Sequence, residues 1–254
     1  MGTYKLYQKR EYMVKMDIKF IPAKYKSEFQ IPSNLAEYLI QNLDSNSKNI
    51  AIFASVQFLP CLNQIKDILT QNNFTVLTSI PDRAQYKSQI LGCNSYPDNL
   101  NLKLDIVDAY LYVGDGNFHP NAILLTQNEN DVKPIFTLNP LNANLKILDN
   151  SWLMKYWKKK KGNLLKFYNS NTIGVFISSK WGQNYEKTAL SLKEKYKEKD
   201  FYYFIGDNFS IEETDNFPFI DCWVNTACPR IGQDDILNHG IPLVNIKDIL
   251  YNSN

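Results

Sequence analysis

The stretch TIGVFISSKWGQNYEKTALSLKEKYKEKDFYYFIGD (172–207) changes its pattern twice. It opens on a short apolar run. It then passes through a charged segment in which Tyr185, Ala189, Leu192 and Tyr196 recur at helical spacing, and closes on a second apolar run. Short runs that are apolar on successive residues suit strands buried on both faces of a parallel sheet. Strand, helix and strand in this order make a parallel unit with a right-handed crossover. The same signature extends outward in both directions. Apolar runs stand at NIAIFAS (49–55), FTVLTSI (74–80), DAYLYVG (108–114), KPIFTLNP (133–140), IDCWVNTAC (220–228) and PLVNI (242–246). FLPCLNQIKDILTQNN (58–73) places Leu62, Ile65, Ile68 and Leu69 at helical spacing between the first two of these.

The pattern runs once over residues 47–147 and again over 170–250. The expected fold class is therefore α/β, with two similar small domains, each a parallel sheet of about four strands with flanking helices. The domains are expected at 47–148 and 172–254, joined by a basic helical connector at 149–171. A leading arm, 1–46, carries a strand-like DIKFIPA (17–23) and then a helical NLAEYLIQNL (34–43), for which Ser33 is the expected N-cap.

Composition narrows the function classes. The chain has 254 residues, 44% hydrophobic and 21% charged, with a net charge of +2, so no strong attraction to polyanions such as nucleic acid is expected. No apolar run approaches the roughly 20 residues a membrane helix needs. The first twenty residues, MGTYKLYQKREYMVKMDIKF, lack the apolar core of a secretory signal, and Leu6 breaks the myristoylation pattern. A cytoplasmic protein with reduced thiols is the expectation. KKKK (158–161) suits a solvated helix face or contact with an acidic partner.

In open parallel sheets, ligands bind beyond the carboxyl ends of the strands. Five stretches fall at such ends. Gln57 leads from the first strand into a helix start, whose free N–H groups suit an anion. SQILGCNS (88–95) puts Cys93 behind a glycine. In YVGDGNFHPNA (112–122), Gly114 and Gly116 allow a tight turn or close ligand approach around Asp115, and His119-Pro120 begin the next helix. This spacing is not the GxGxxG of a dinucleotide site. SSKWGQ (178–183) carries Lys180 and Gln183, and NTACPRIGQDD (225–235) carries Cys228. The four cysteines form no CxxC pair, and His119 and His239 are the only histidines, so a zinc ribbon or a Ser–His–Asp triad is disfavoured. Dispersed cysteines are either buried packing residues or ligands that converge in space. Cys222 sits inside a strand run and Cys61 inside a helical one, which suits packing, whereas Cys93 and Cys228 occupy equivalent ends in the two repeats. Arg230, Asp234 and Asp235 suit a surface salt-bridge cluster.

Taken together, VQ (56–57), QILGCN (89–94), YVGDGNFHP (112–120), SSKWGQ (178–183), FPF (217–219) and VNTACPRIGQDD (224–235) follow the order and approximate spacing seen in one family. The chain resembles the archaeal diphthamide synthases, the 2-(3-amino-3-carboxypropyl)histidine synthases, over about residues 15–250. The resemblance implies a noncanonical radical S-adenosylmethionine enzyme. Three small α/β domains each give one cysteine to a [4Fe–4S] cluster, and a 3-amino-3-carboxypropyl group passes from S-adenosylmethionine to a histidine of translation elongation factor 2. It assigns Cys93 and Cys228 to the cluster. It assigns Gln57, Gly114, Asp115, Gly116, His119, Pro120, Lys180 and Gln183 to the region lining the S-adenosylmethionine site. Asp234 and Asp235 complete the signature.

The chain departs from that pattern where the family's first domain and its cysteine would stand, and FLPCLNQ (58–64) lacks the histidines usual after the glutamine. Three arrangements follow from the departure: a partner chain supplies the missing domain and cysteine, or the chain is a non-catalytic supporting subunit, or Cys61 substitutes as third ligand. A two-domain α/β protein that binds a small ligand is the blander alternative.

Overall fold

Alternate residues of Asn49–Ala54, the first strand, point to opposite sides of a sheet, and both sides are buried. Ile50, Ile52 and Ala54 enter one apolar core while Ala51 and Phe53 enter another, which explains why the run reads as continuously apolar. The computed structural model describes residues 21–251 apart from 27, 181–184, 209, 235, 236, 238 and 239. The strands of the first sheet are β1 (Asn49–Ala54), β2 (Thr75–Leu77), β3 (Ala109–Val113), β4 (Ile135–Asn139) and β5 (Asn144–Ile147), in the order β2-β1-β3-β4-β5. The β1–β2, β1–β3 and β3–β4 pairings are parallel, and β5 pairs antiparallel with β4. The helices around it are α1 (Leu35–Gln41), α2 (Leu62–Gln71) and α3 (Phe118–Leu125).

A long helix, α4 (Leu153–Asn169), then leads to β6 (Thr172–Ser178), α5 (Glu186–Lys195), β7 (Asp200–Gly206), β8 (Cys222–Asn225), α6 (Pro229–Asp234), β9 (Leu243–Asn245) and α7 (Ile246–Tyr251). The second sheet has the order β7-β6-β8-β9, all parallel. The strand order repeats that of the first four strands, and a small device repeats with it. Asp108, just before β3, accepts from the backbone N–H of Asn49 (2.8 Å), and Asp221, just before β8, accepts from that of Thr172 (3.0 Å). Gly174 in β6 is fixed by packing, since a β-carbon there would lie 2.6 Å from the Trp223 ring.

The expected α/β architecture is observed, with three corrections. The first sheet has a fifth strand, β5, which the sequence pattern does not announce because three of its four residues are exposed on a sheet edge. Ser33 is not the cap of α1: Asn34 holds that position, with no side-chain cap hydrogen bond. Residues 21–23 of the strand-like DIKFIPA form no strand, and its residues 17–20 lie outside the described residues. The basic connector is more than a link. Leu153, Tyr156 and Trp157 of α4 belong to the first sheet's core, and Phe167 to the second's. Two of its run of lysines are engaged, Lys160 with Asp248 of α7 and Lys161 with Glu129.

Candidate functional site: two thiols at one cavity

Cys93 and Cys228 line one cavity. Both are half-buried free thiols, and the cavity, of about 630 Å³ between the two sheets, is also lined by Asp82, Arg83, Asn225 and Lys247. Each thiol is held by a side chain that bonds to its loop's backbone. On the first side, the Asn94 carboxamide accepts from Leu91 N–H (2.8 Å) and donates to Asp82 C=O (2.9 Å), closing the loop that carries Cys93. On the second, Asn225 at the end of β8 donates to Cys228 C=O (2.8 Å) and to Asn245 Oδ1 (2.7 Å), and accepts from Ala227 N–H (3.0 Å). Asn245 donates onward to Pro229 C=O (2.9 Å). Asn225 and Asn245 are register partners at the ends of neighbouring strands.

Arg230 joins the two sides. It was expected on the surface, yet it is only 6% exposed. Its Nε donates to Asp234 Oδ1 (2.8 Å), one turn ahead, and its Nη1 reaches the carbonyl oxygens of Phe118 (2.8 Å) and Gly92 (3.4 Å). The guanidinium carbon also stands 4.3 Å from the centre of the Phe118 ring. That ring lies against Gly92 so closely that a β-carbon there would be 2.1 Å from it. Asp235 lies outside the described residues.

Burial pushes the Cys93 thiol up from its ordinary pKa; the Arg83 guanidinium, 4.0 Å from the sulfur, pulls it down, and Cys228 pushes it up again. Sequence reasoning did not single out Arg83, Asn94 or Asn245, and gave Asn225 no role. A signal for two of them was available: two apolar runs, WVN and LVN, each end on asparagine.

The other expected residues are placed as follows. The Gly114–Pro120 segment follows β3; none of it lines the cavity, and its tie to the Cys228 side is the hydrogen bond from Arg230 to Phe118 C=O. Gly116 has φ +63°, a left-handed conformation that favours glycine, and a β-carbon at Gly114 would lie 2.4 Å from the Tyr112 hydroxyl. Asp115 is exposed, and its carbonyl is 3.5 Å from that hydroxyl. Pro120 is buried in α3. Gln57 is exposed beyond β1, with its backbone carbonyl taken by Tyr25 N–H (2.9 Å), and is not among the residues lining the cavity. Lys180 is exposed, donates to Asn208 (2.7 Å) and does not line the cavity. Gln183 lies outside the described residues. Cys61 is in the first core, 3% exposed, its thiol donating to Phe58 C=O (3.0 Å), and burial raises its pKa to about 11. Cys222 is fully buried in the second core.

Two expectations follow. Cys61→Ala should cost about 1 kcal/mol of unfolding free energy as a small cavity, read by urea unfolding. A cost near zero would show that the thiol is not packed in this core. His119, stacked on Tyr112, has its pKa lowered by burial first and then by Arg230, with Asp115 opposing. The unfolded chain then binds more protons than the folded one below the ordinary value of 6.5, so stability falls as pH drops from there toward the lowered pKa. His119→Gln should flatten that acid limb in denaturant unfolding measured across the range. An unchanged slope would show that His119 does not contribute to it.

The fold and site define an α/β protein with two mostly parallel sheets and a thiol pair at the cavity between them. The family model for diphthamide synthesis proteins matches residues 2–251. The chain belongs to the diphthamide synthesis family. It is 28% identical over 232 residues to 2-(3-amino-3-carboxypropyl)histidine synthase subunit 1 of Kluyveromyces lactis, covering 87% of this chain and 52% of that protein. It is 26% identical over 231 residues to the 2-(3-amino-3-carboxypropyl)histidine synthase of Methanocaldococcus jannaschii, covering 88% and 58%. The crystal structure of Dph2 from Pyrococcus horikoshii with a 4Fe-4S cluster superposes with a TM-score of 0.64 at 21% identity, covering 86% of this chain and 59% of that one. The chain spans about half the length of the curated relatives it matches. Among the described residues, no helix is long and apolar enough to cross a membrane.

Proposed function

We propose that this chain is one part of a 3-amino-3-carboxypropyl transferase in the first step of diphthamide biosynthesis, acting on a histidine of translation elongation factor 2 in the cytoplasm. The observation that carries the reading is that Cys93 and Cys228, in loops associated with different sheets, line a single cavity. Residues 47–148 and 172–254 would be the two family domains that bring them there.

The donor set fits a [4Fe–4S] cluster in part. Thiolates are the ligands such clusters take, and the family pattern calls for three cysteines, one from each of three domains. Among the described residues, no group of three or more His, Cys, Asp or Glu side chains converges as a metal site. This chain would thus supply two ligands through Cys93 and Cys228, and a partner chain would supply the remaining cysteine. When bound, the cluster supplies the electron for cleaving a sulfur–carbon bond of S-adenosylmethionine.

This chain's residues would do the positioning. Asn94 and Asn225 hold the two cysteine loops, and Arg83 favours the charged form of Cys93 against its burial. The Gly114–Pro120 turn, which Arg230 ties to the Cys228 side through Phe118 C=O, would contribute to the S-adenosylmethionine site. Enclosure by both chains would keep water from the transferred fragment.

The test is anaerobic reconstitution with iron and sulfide, for the chain alone and with the partner, read by charge-transfer absorbance and by EPR after reduction. A cluster only in the assembly is the expected result. A stable four-iron cluster on the monomeric chain alone would overturn the shared-ligand reading. The absence of a cluster from every assembly would overturn the enzymatic one.

A further inference from the structure

The geometry points to Arg230 as the positioning residue that sets the distance between Cys93 and Cys228. The role rests on the reading of those cysteines as paired ligands, but it is visible without iron. Cys93 follows Gly92 directly, and Cys228 stands two residues before Arg230. One side chain, rooted beside one thiol, therefore bonds to the backbone carbonyl next to the other (3.4 Å) and to that of Phe118 (2.8 Å). The guanidinium is planar and presents donors in fixed directions, so it can bond sideways to the carbonyls while stacking on a ring. Phe118 uses both properties: its carbonyl takes the hydrogen bond and its ring lies under the guanidinium at 4.3 Å. Because that ring also fills the space beside Gly92, the loop of Cys93 is held between Phe118 and Arg230. The Asp234 carboxylate balances the buried charge and fixes the Nε end at 2.8 Å. Lysine has the charge but neither the fork nor the plane, so it cannot hold all of these partners together.

Other ties cross between the two sides without touching the cysteine loops. Lys247 of α7 donates to Asp98 at 2.9 Å, and this pair provides the control. If Arg230 merely stabilised the fold, breaking any such tie would loosen the thiol pair to a similar degree.

The experiment is alkylation of the iron-free, reduced full chain with dibromobimane. Each of its two carbon–bromine bonds is displaced by a thiolate with release of bromide, and the product fluoresces once both have reacted. The readout is the ratio of Cys93–Cys228 cross-link to single alkylation, mapped by mass spectrometry, with far-UV circular dichroism confirming the fold. Arg230→Lys should lower the ratio by about tenfold, in line with the steep dependence of paired reactions on orientation. Asp234→Asn keeps the arginine and should lower it by a smaller factor. Asp98→Asn should leave it within about twofold, because it touches neither loop. A parental ratio in a folded Arg230→Lys, or an equal fall in Asp98→Asn, would overturn the role. Should Arg230→Lys fail to fold, a parental ratio in Asp234→Asn overturns it instead. Since no iron is involved, these outcomes leave the cluster reading to its own test.

Discussion

If the chain acts as proposed, Cys228→Ala, and separately Cys93→Ala, should each reduce cluster-bound iron in the assembly by roughly tenfold, the loss that even outer partners of a metal commonly cause. Transfer of the 3-amino-3-carboxypropyl group should fall with it. Neither change should unfold the chain, because both thiols are half-buried at a cavity wall and belong to none of its apolar cores. Their removal should alter the unfolding midpoint little, as for substitutions away from packed sites. Cys222→Ala makes the useful contrast. That thiol is fully buried among Val224, Ile173 and their neighbours, so its loss should destabilise the chain while iron binding by the surviving folded protein persists. Iron and sulfide per assembly, measured anaerobically beside a thermal melt, separate the two behaviours. If the Cys93→Ala/Cys228→Ala double variant kept full transferase activity in complex with its partner, the chain would be a supporting subunit with no ligand role.

How much of this was legible in the sequence depended on what each residue packs against. Strands buried on both faces announced themselves, since Ile50 to Ala54 are all apolar whichever side they face. β5 did not, because an exposed edge strand has no continuous apolar requirement. The two cysteines could be chosen from four because they stand at strand or loop ends beside glycine or proline, whereas Cys61 and Cys222 sit inside packed elements. Burial of Arg230 is not legible in the sequence, where a surface salt-bridge cluster and a place in a functional strand-end stretch read alike. The sequence shows its i+4 acid but not the two backbone carbonyls, about 110 or more residues away in the chain, that make burial of its charge tolerable. Arg83 gave no signal for a similar reason: only the path of the loop brings it to the sulfur of Cys93. Asn225 is the intermediate case. A carboxamide closing an apolar strand is an oddity in the sequence, but its pairing with Asn245 depends on the β8–β9 register.

That pairing leads to the second large effect. Asn225→Asp should lower the unfolding free energy by about 3 kcal/mol at neutral pH, in the range for a buried donor replaced by an unpaired charge. The substitution changes almost no volume, so packing is not the cause. Asn225 is 1% exposed and its amide nitrogen serves two acceptors, Cys228 C=O and Asn245 Oδ1. An aspartate oxygen in that place faces both acceptors without a proton to share. Turning the Asn245 amide over would present a donor to the aspartate, but it would take the Asn245 nitrogen from Pro229 C=O. It would also leave Cys228 C=O against the carboxylate. Burial and lost donors raise the folded pKa of such a group above its unfolded value of about 3.9. Relative to the parent, the variant is therefore least impaired below that value, and the deficit grows as pH rises through the interval between the unfolded and folded pKa. Urea unfolding of both proteins at about pH 4.5 and again near pH 7.5 reads the difference on either side of much of that rise. A deficit equal at the two values would mean that the charge is solvated and that the three hydrogen bonds of Asn225 do not form as a buried set. A deficit that grows with pH, accompanied by a weaker Cys93–Cys228 cross-link, would tie the buried pair of asparagines to the position of Cys228 itself. Asn225→Ala sharpens the comparison. It deletes the same donors without adding charge, so its deficit should be smaller at neutral pH and nearly independent of pH.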